Sequence, residues 1–311
     1  MTSGTGDSGA QIAPAAALEP TAVMSVDVED WFQVENLRGA ISRESWDTFP
    51  RRVAANTERI LTVLHRTNTV GTFFCLGWVA EREPALIREI RDAGHEIASH
   101  GYSHRLIYEQ ELTDFRQDVI RAKALLEDIT GGEVLGYRAP SFSITEASLQ
   151  VLSETGHRYD SSWFPAGGHD RYGHVDLDRT DAADTPAVLR LTREEAAGTA
   201  RGHFQERPFY ELPITTLRIG SRPFPWGGGG WFRLYPAGAF RRGFRRAIRR
   251  ADGGMFYLHP WEVDPGQPRV EGIKRSYAFR HYVNLDKTVA RLEQLCRGVH
   301  FTRADYLLRL R

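Results

Sequence analysis

Apolar and polar positions follow two different periods once the first twenty residues are passed. The run VMSVDV at 23–28 is mostly apolar and rich in valine, which predicts a strand that leads into carboxylates. Apolar positions recur at helical spacing over 53–66, and 70–76 returns to the β-branched and aromatic composition of a strand. A helix that a proline opens and a glycine ends is predicted at 84–94, followed by a strand at 96–99.

The alternation of strands and helices continues further along the chain. A helix that Thr113 caps, a strand at 132–136 and a helix at 147–155 follow, and a last helix is predicted at 284–297. This order predicts βα units around a parallel sheet or barrel, because each helix returns the chain to the same edge of the sheet. Polar groups recur just after the predicted strands, at the edge where such folds gather their chemistry.

Composition and charge exclude several classes of protein. The 311 residues carry 40 Lys and Arg against 40 Asp and Glu, so bulk positive charge cannot hold a nucleic acid. A hydrophobic fraction of 41% is too high for a disordered acidic chain. Mean hydropathy is −0.42 and no long apolar run occurs, so no transmembrane helix is predicted. Two cysteines, Cys75 and Cys296, cannot build a disulfide framework.

The ends and the middle of the chain differ from the rest. Residues 1–20 are rich in Gly, Ala, Ser and Pro and lack a basic segment and a continuous apolar stretch, which predicts a flexible leader and a cytoplasmic location. One domain is expected over 21–311. Within it, 167–250 is expected to be an insertion that shapes a cleft. The Arg-rich stretch at 241–250 predicts a solvated face of an amphipathic helix, with contact to an anionic polymer or membrane surface as the alternative.

The sharpest candidate chemistry is a pair of histidines and an acidic cluster. His100 and His104 are four residues apart and can present both rings to one metal ion. Asp27, Glu29 and Asp30 lie at the end of the first predicted strand. Two imidazoles and one carboxylate leave open positions on a divalent ion, as a catalytic site requires.

Four motifs, in order along the chain, carry a resemblance to a known family. They are GHEIASHGYSH at 94–104, GYRAPSF at 136–142, DSSW at 160–163 and LHP at 258–260. With them, the sequence resembles the polysaccharide deacetylase family with the NodB homology fold, carbohydrate esterase family 4. The resemblance implies a distorted (β/α)7-type barrel in a single domain, with a core at about 23–165 and 253–262.

Two further segments resemble one branch of that family. SVDVEDWFQV at 25–34 and YLHPWEVDP at 257–265 look like the branch associated with exopolysaccharide and PEP-CTERM/exosortase gene clusters, and 263–311 resembles its C-terminal extension. This likeness implies a bacterial exopolysaccharide substrate. It also implies peripheral association with polysaccharide export machinery.

The resemblance implies a division of roles among the carboxylates and histidines. Asp27 is expected to be the catalytic base, and Asp30 to bind the metal ion with His100 and His104. Glu29 competes for either role, because strand alternation puts it on the face of Asp27 while the pair Glu29 and Asp30 resembles the adjacent aspartates of the family. The expected ion is zinc, with cobalt, nickel and manganese as alternatives.

Further roles follow from the other motifs. His259 is expected to protonate the departing amine, and Arg138 to orient the base carboxylate. Trp163 is expected to wall the acetyl pocket and, with Asp160, to hold His259 in place. A backbone N–H near Ser141 is expected to bind the oxyanion together with the metal ion. The residues expected to contact or shape the substrate are Ser141, Phe142, Asp160, Trp163 and Trp231.

The expected function is therefore metal-dependent removal of N-acetyl groups from an acetamido-sugar polysaccharide, a bacterial exopolysaccharide or a cell-wall glycan. An allantoinase-like hydrolase of small-molecule C–N bonds is the first alternative, since its acidic opening is close to the Glu29 and Asp30 pair. A catalytically idle carbohydrate-binding module is the second, although an idle site has no need of both a base and an acid.

Overall fold

A computed structural model describes residues 21–166, 172–173, 175, 189–191 and 208–311, with only the backbone described at 189–191. The leader expected at 1–20 and most of the polar stretch at 167–207 lie outside the described residues. The strands are β1 (Ala22–Val28), β2 (Thr72–Cys75), β3 (Glu96–Ser99), β4 (Gly136–Tyr137), β5 (Tyr159–Asp160), β6 (Leu189–Leu191), β7 (Phe209–Glu211), β8 (Thr216–Ile219), β9 (Arg222–Pro225), β10 (Gly254–Leu258) and β11 (Phe301–Thr302). The helices are α1 (Val53–Arg66), α2 (Gly77–Arg82), α3 (Pro84–Asp92), α4 (Leu112–Thr130), α5 (Glu146–Glu154), α6 (Gly229–Leu234), α7 (Ala237–Arg250), α8 (Arg275–Tyr282), α9 (Thr288–Cys296) and α10 (Ala304–Leu307).

The main sheet is parallel and follows the order β10, β1, β2, β3, β4, β5, β7. β6 adds an antiparallel edge to β7, and β11 pairs with the start of β1. The sheet curls into a half-barrel with helices on its outer side, which confirms the (β/α)7-type barrel expected from the sequence. β8 and β9 form a separate hairpin.

The two faces of each strand have different partners, because successive side chains point to opposite faces of a sheet. In β1, Val23 packs in the cluster inside the curl, whereas Met24 and Val26 pack in the outer cluster with the helices. In β10, Tyr257 packs in the inner cluster and Leu258 in the outer cluster. A polar side chain on the same face of the sheet as Val23 and Tyr257 therefore points into the half-barrel. If it also lies at the end of its strand, it reaches the open end of the half-barrel.

Helix α7 confirms the amphipathic helix expected from the Arg-rich stretch. Phe240, Phe244 and Ile248 are buried in the outer cluster, where Phe244 meets Phe256 of β10 edge-on. From Arg241 onward, the exposed positions of the helix are all arginines: Arg241, Arg242, Arg246, Arg249 and Arg250. Among the described residues, every helix is too short or too polar to cross a bilayer.

Several element boundaries differ from the sequence-based predictions, and α9, for example, begins at Thr288 after a 3-10 turn rather than at 284. α4 begins at Leu112 with Glu111 as its N-cap, so Thr113 lies in the first turn instead of capping the helix. β4 begins at Gly136 rather than at 132. A Cβ on Gly136 would lie 2.1 Å from the ring of Tyr159, so the strand forms where glycine allows the neighbouring strand to approach.

We expect one buried histidine of this fold to make stability depend on pH. Burial and, to a smaller extent, Lys123 lower the pKa of His157 to about 3, whereas a histidine in an unfolded chain titrates at about 6.5. Between these values only the unfolded state binds the proton, so the free energy of unfolding falls as the pH is lowered from 7 to 5, by about 2 kcal/mol from this residue. Urea unfolding at pH 7 and at pH 5 measures this difference in the free energy of unfolding, and the His157→Gln variant should show a smaller difference than the wild type. The His65→Gln variant, which changes an exposed histidine, should show the wild-type difference. A wild-type difference in His157→Gln would contradict the assignment to His157.

Candidate active site

A pocket of about 300 Å³ opens at the C-terminal ends of the parallel strands. β1, β3 and β10 end at this edge, and the inner positions at or just after their ends are polar. The carboxylates and histidines that line the pocket are Asp27, Glu29, Glu35, His100, His104, His259 and Glu262. The structure thus brings together carboxylates and histidines that are more than 200 residues apart in the sequence.

Arg138 lies fully buried beneath the pocket and binds Asp27. Its Nη1 donates to Asp27 Oδ1 at 2.6 Å and to Ser25 Oγ at 2.8 Å. Its Nε and Nη2 donate to the carbonyl and the hydroxyl of Ser161, both at 2.9 Å, and its guanidinium lies over the ring of Phe74. Because every nitrogen of the fork has a partner, the guanidinium is fixed, and it fixes one oxygen of Asp27 in turn.

Three buried side chains form a group that could hold a metal ion, and we name Glu29, His100 and His104 the Glu–His–His group. One ligand atom of each lies within 4.8 Å of the others. Nδ1 of His100 lies 2.8 Å from the carbonyl oxygen of Arg138, which places the ring proton on Nδ1 and leaves the Nε2 lone pair available to a ligand. The donor set of two imidazoles and one carboxylate fits a divalent ion such as zinc.

The contacts within the group also fit an ion. Glu29 Oε2 and His104 Nε2 are 2.6 Å apart, and apart from this contact the buried Oε2 has no hydrogen-bond partner among the described residues. Burial would raise the pKa of Glu29, but His104, His259 and His100 lower it to about 2. Burial lowers the pKa of His100 to about 4, so the imidazole is neutral at pH 7, the form that binds metals.

Asp30 does not join the Glu–His–His group, which corrects the sequence-based expectation. Its Oδ1 accepts the N–H of Trp31 at 2.8 Å, and its Oδ2 accepts the N–H of Arg52 at 2.7 Å and of Val53 at 3.0 Å. Because α1 begins at Val53, the carboxylate satisfies backbone donors at the start of that helix. Glu29 takes the place beside the histidines, as strand alternation from Asp27 requires.

His259 faces Asp27 and Glu29 across the pocket. Its Nε2 lies 3.7 Å from Asp27 Oδ2 and 3.7 Å from Glu29 Oε1, and 17% of its side chain is exposed. Its Nδ1 lies 3.0 Å from Glu262 Oε2. Burial would lower the pKa of His259, but the hydrogen bond to Glu262 and the charges of the three carboxylates raise it to about 9. The imidazole is therefore protonated at neutral pH.

Asp160 and Trp163 lie in places other than those expected. Asp160 is buried against Ser162, whose hydroxyl donates to Asp160 Oδ1 at 2.7 Å, and against Glu211, and it does not contact His259. Burial raises the pKa of both Asp160 and Glu211, and their mutual contact is consistent with a shared proton. Trp163 is half-buried against the hydrophobic cluster outside the pocket, so it does not wall the pocket.

Aromatic side chains and a glycine turn form the rest of the pocket. Ser141 and Phe142 line it, both with φ in the left-handed region, and Trp231 lies at its rim with 39% of its surface exposed. Gly228 pairs with Tyr257 of β10, and its φ of 139° and a Cβ position 1.9 Å from Tyr257 O exclude any other residue there. The glycine run therefore lets the backbone lie directly on β10 and carry Trp231 to the rim.

Sequence reasoning missed three residues around the site. Glu262 contacts His259, Arg233 contacts Glu262, and Glu211 contacts Asp160. The spacing of Glu262, three residues after His259 at the start of a 3-10 turn, is a capping-box pattern that could have drawn attention to it. Arg233 and Glu211 come from distant segments without a motif, so no local signal marks them.

Two family models match the chain. The model described as Polysaccharide deacetylase matches residues 44–159, and that of a domain of unknown function (DUF3473) matches 161–309. Residues 44–159 of the chain are therefore similar to a polysaccharide deacetylase domain. The two histidines of the Glu–His–His group lie within the deacetylase match, His259 lies within the second match, and Asp27 and Glu29 precede both.

Curated deacetylases resemble part of the chain. A peptidoglycan deacetylase-like protein of Gibberella zeae is 31% identical over 164 residues, which cover 50% of this chain and 47% of that protein. A peptidoglycan-N-acetylglucosamine deacetylase of Bacillus cereus is 32% identical over 98 residues, 32% of this chain and 36% of that protein. The matched region spans about half of these relatives, or less.

Solved structures resemble the whole fold. A candidate polysaccharide deacetylase from Mycobacterium smegmatis superposes with a TM-score of 0.58 at 18% identity, over 96% of this chain and 93% of that one. Puue allantoinase superposes with a TM-score of 0.55 at 16% identity, over 93% of this chain and 89% of that one. At these identities the likeness concerns the fold alone, and it agrees with the deacetylase barrel.

Substitutions at Glu29 and Asp30 should separate metal binding from folding. We expect Glu29→Gln to weaken zinc binding by more than about 100-fold in calorimetric titration, because it removes the anionic ligand atom of the Glu–His–His group. Asp30→Asn should bind zinc like the wild type but unfold at lower urea, since one anionic cap of three N–H groups is lost, at about 1–3 kcal/mol. Zinc affinity lost in Asp30→Asn and kept in Glu29→Gln would reverse the assignment.

Proposed function

We propose that this pocket removes N-acetyl groups from an acetamido-sugar glycan, with a divalent metal ion as cofactor. The observation that carries the proposal is the approach of His259 Nε2 to within 3.7 Å of Asp27 Oδ2, beside the Glu–His–His group. A carboxylate, a protonated imidazole and a set of metal ligands that face one space are the groups that amide hydrolysis needs. The similarity to curated peptidoglycan deacetylases supports the same class of reaction.

The Glu–His–His group is the proposed metal site. Zinc is the proposed ion, because catalytic zinc sites combine histidine and carboxylate ligands and leave one position open, and cobalt, nickel and manganese are the alternatives. When bound, such an ion polarises a carbonyl oxygen and lowers the pKa of water. The Nδ1 contact of His100 with the Arg138 carbonyl holds one of the two ligand rings in place.

Asp27 is the proposed general base. Arg138 holds its Oδ1 at 2.6 Å, and Oδ2 is the oxygen that faces His259 in the pocket. Oδ2 would therefore accept a proton from the water that attacks the acetamide carbon. The fixed guanidinium keeps the carboxylate in one orientation, so the accepting oxygen does not need to be ordered during the reaction.

His259 is the proposed general acid. As the C–O bond forms and the C–N bond breaks, Nε2 would donate its proton to the amine nitrogen of the sugar, which is a poor leaving group without it. The products are acetate and the free sugar amine. Exchange with water then returns a proton to His259 and removes one from Asp27, which restores both groups.

The size and rim of the pocket bear on the substrate. A cavity of about 300 Å³ is at the small end of ligand pockets, which suits one acetamido sugar with its neighbours outside. The exposed ring of Trp231 offers an apolar face against which a neighbouring sugar could pack. We propose a polymeric N-acetylated glycan on this basis, and the bacterial exopolysaccharide expected from the sequence stays a prediction.

An allantoinase-like amide hydrolase is the second candidate, because Puue allantoinase has a similar fold. The fold does not separate the two reactions, but the similar curated sequences carry the names of glycan deacetylases. An idle carbohydrate-binding module would need neither the Asp27 carboxylate nor the His259 proton donor.

Acetate release from a panel of N-acetylated glycans tests the proposal. Chitooligosaccharides, peptidoglycan strands and a β-linked N-acetylglucosamine exopolysaccharide should include at least one substrate, and a chelator should abolish release until zinc is added back. Asp27→Asn should lower kcat by about 100-fold or more, because a general base contributes about 10²–10⁴-fold. The exposed Asp286→Asn is the matched control and should behave like the wild type. Consumption of allantoin without acetate release from any glycan would support the second candidate instead.

A further inference from the structure

The ring of His259 is held from below by one carboxylate. Glu262 Oε2 lies 3.0 Å from His259 Nδ1 and also accepts the backbone N–H of His259 at 3.0 Å. Glu262 is 1% exposed, so this contact is shielded from bulk water. Since a carboxylate accepts and does not donate, the ring proton of this contact lies on Nδ1. The other ring nitrogen, Nε2, is then the one that faces the pocket.

The carboxylate of Glu262 is itself fixed by a buried arginine of α6. Arg233 Nε donates to Glu262 Oε1 at 2.7 Å, and Arg233 is also 1% exposed. Its remaining nitrogens donate to the backbone carbonyls of Arg280, His281 and Val283 at 2.8–2.9 Å. Both oxygens of Glu262 and the whole guanidinium fork are therefore used, which is the condition under which a buried ion pair holds a defined geometry.

Ring stacking fixes the plane of the imidazole. His259 stacks on Trp261 at 5.2 Å between centroids and 24° between planes, and Trp261 also stacks with His281 at 4.4 Å and 13°. The indole Nε1 donates to Glu29 Oε1 at 3.2 Å, so Trp261 also joins the acid side of the pocket to the Glu–His–His group. The stacking on Trp261 therefore fixes the tilt of the His259 ring, and the contact with Glu262 fixes its rotation.

No other carboxylate within the described part of the chain contacts Nδ1 of His259. Asp160, the residue expected there from the sequence, is bound to Ser162 and Glu211. The residues that do hold the ring, Arg233, Trp261 and Glu262, all lie within 161–309, the segment matched by the domain of unknown function.

We propose that Glu262, held by Arg233, is the positioning residue that directs the Nε2 proton of His259 toward the leaving amine. On this proposal the segment of unknown function supplies the acid half of the site, and the strands before it supply the base and the metal ligands. The inference rests on the proposed deacetylase function, because it assigns a role within that reaction.

The dependence of the reaction on its leaving group tests this role. A sugar amine must be protonated as it leaves, whereas 4-nitrophenolate leaves without a proton. We expect Glu262→Gln to lower kcat for an N-acetylated glycan by about 100-fold at similar KM, and to lower hydrolysis of 4-nitrophenyl acetate by less than about fivefold. Arg233→Lys should also lower glycan deacetylation much more than ester hydrolysis, because lysine keeps the positive charge but lacks the several N–H donors of the guanidinium.

Controls separate positioning from general damage. Glu271→Gln changes an exposed carboxylate of the same segment and should leave both rates at the wild-type value. Zinc stoichiometry and the urea midpoint are measured for every variant. Equal losses of glycan and ester hydrolysis in a folded, zinc-loaded Glu262→Gln protein would overturn the proposal, and so would wild-type glycan activity.

A measurement on the wild type keeps the test available if the variants do not fold. Nitrogen-15 NMR of the histidine rings should show the Nδ1 of His259 protonated, and a neutral ring protonated only on Nε2 would overturn the inference. Absence of acetate release by the wild-type protein from every glycan would defeat the proposed function. The NMR result would still decide how Glu262 holds the ring.

Discussion

The buried ion pair between Arg138 and Asp27 is the interaction on which the rest of the site depends. Arg138 has no exposed surface, so both charges have left water, and such burial is tolerated only when geometry and hydrogen bonding are complete. The guanidinium meets this condition by binding Ser25 of β1 and Ser161 after β5 as well as Asp27. One side chain thereby joins three parts of the sheet edge and orients the proposed base. Its own backbone carbonyl orients His100 as well, so the proposed base and the Glu–His–His group have a common support.

The site is divided between parts of the chain that are far apart in sequence. Asp27 and Glu29 come with β1, the two histidines follow β3, and His259 follows β10, which pairs with β1. The parallel order makes this possible, because all these strands end at the same edge. The segment after residue 160 thus completes the pocket: its strand β10 lies beside β1, and its helix α6 brings Arg233 to Glu262.

Much of this arrangement could be predicted from the sequence, and the exceptions have physical reasons. The alternation of apolar periods predicted the strands and helices of the barrel. The family resemblance carried by the four motifs implied one site with Asp27, His100, His104, Arg138 and His259; four of these line the pocket, and Arg138 binds Asp27. Strand alternation also pointed to Glu29, but the family pattern of adjacent carboxylates favoured Asp30. In the structure Glu29 lies beside the histidines, as the alternation predicted. The chain turns after Glu29, and the carboxylate of Asp30 accepts the backbone N–H groups at the start of α1.

Contacts between distant segments could not be predicted in this way. The partner of Asp160 is Glu211 and the partner of Glu262 is Arg233, and neither pairing has a local period or motif that marks it. The short β4 has a similar cause, because it begins where Gly136 admits the ring of Tyr159. Such contacts are decided by packing across the sheet, which a single sequence does not display.

A crystal structure of the zinc-loaded protein, with anomalous diffraction recorded at the zinc edge, tests the proposed metal site most directly. We expect one strong peak in contact with Glu29, His100 and His104, next to Asp27, with Asp30 still bound to the N–H groups of Arg52 and Val53. A peak on Asp30, or no peak between the two histidines at full zinc occupancy in solution, would contradict the proposed site.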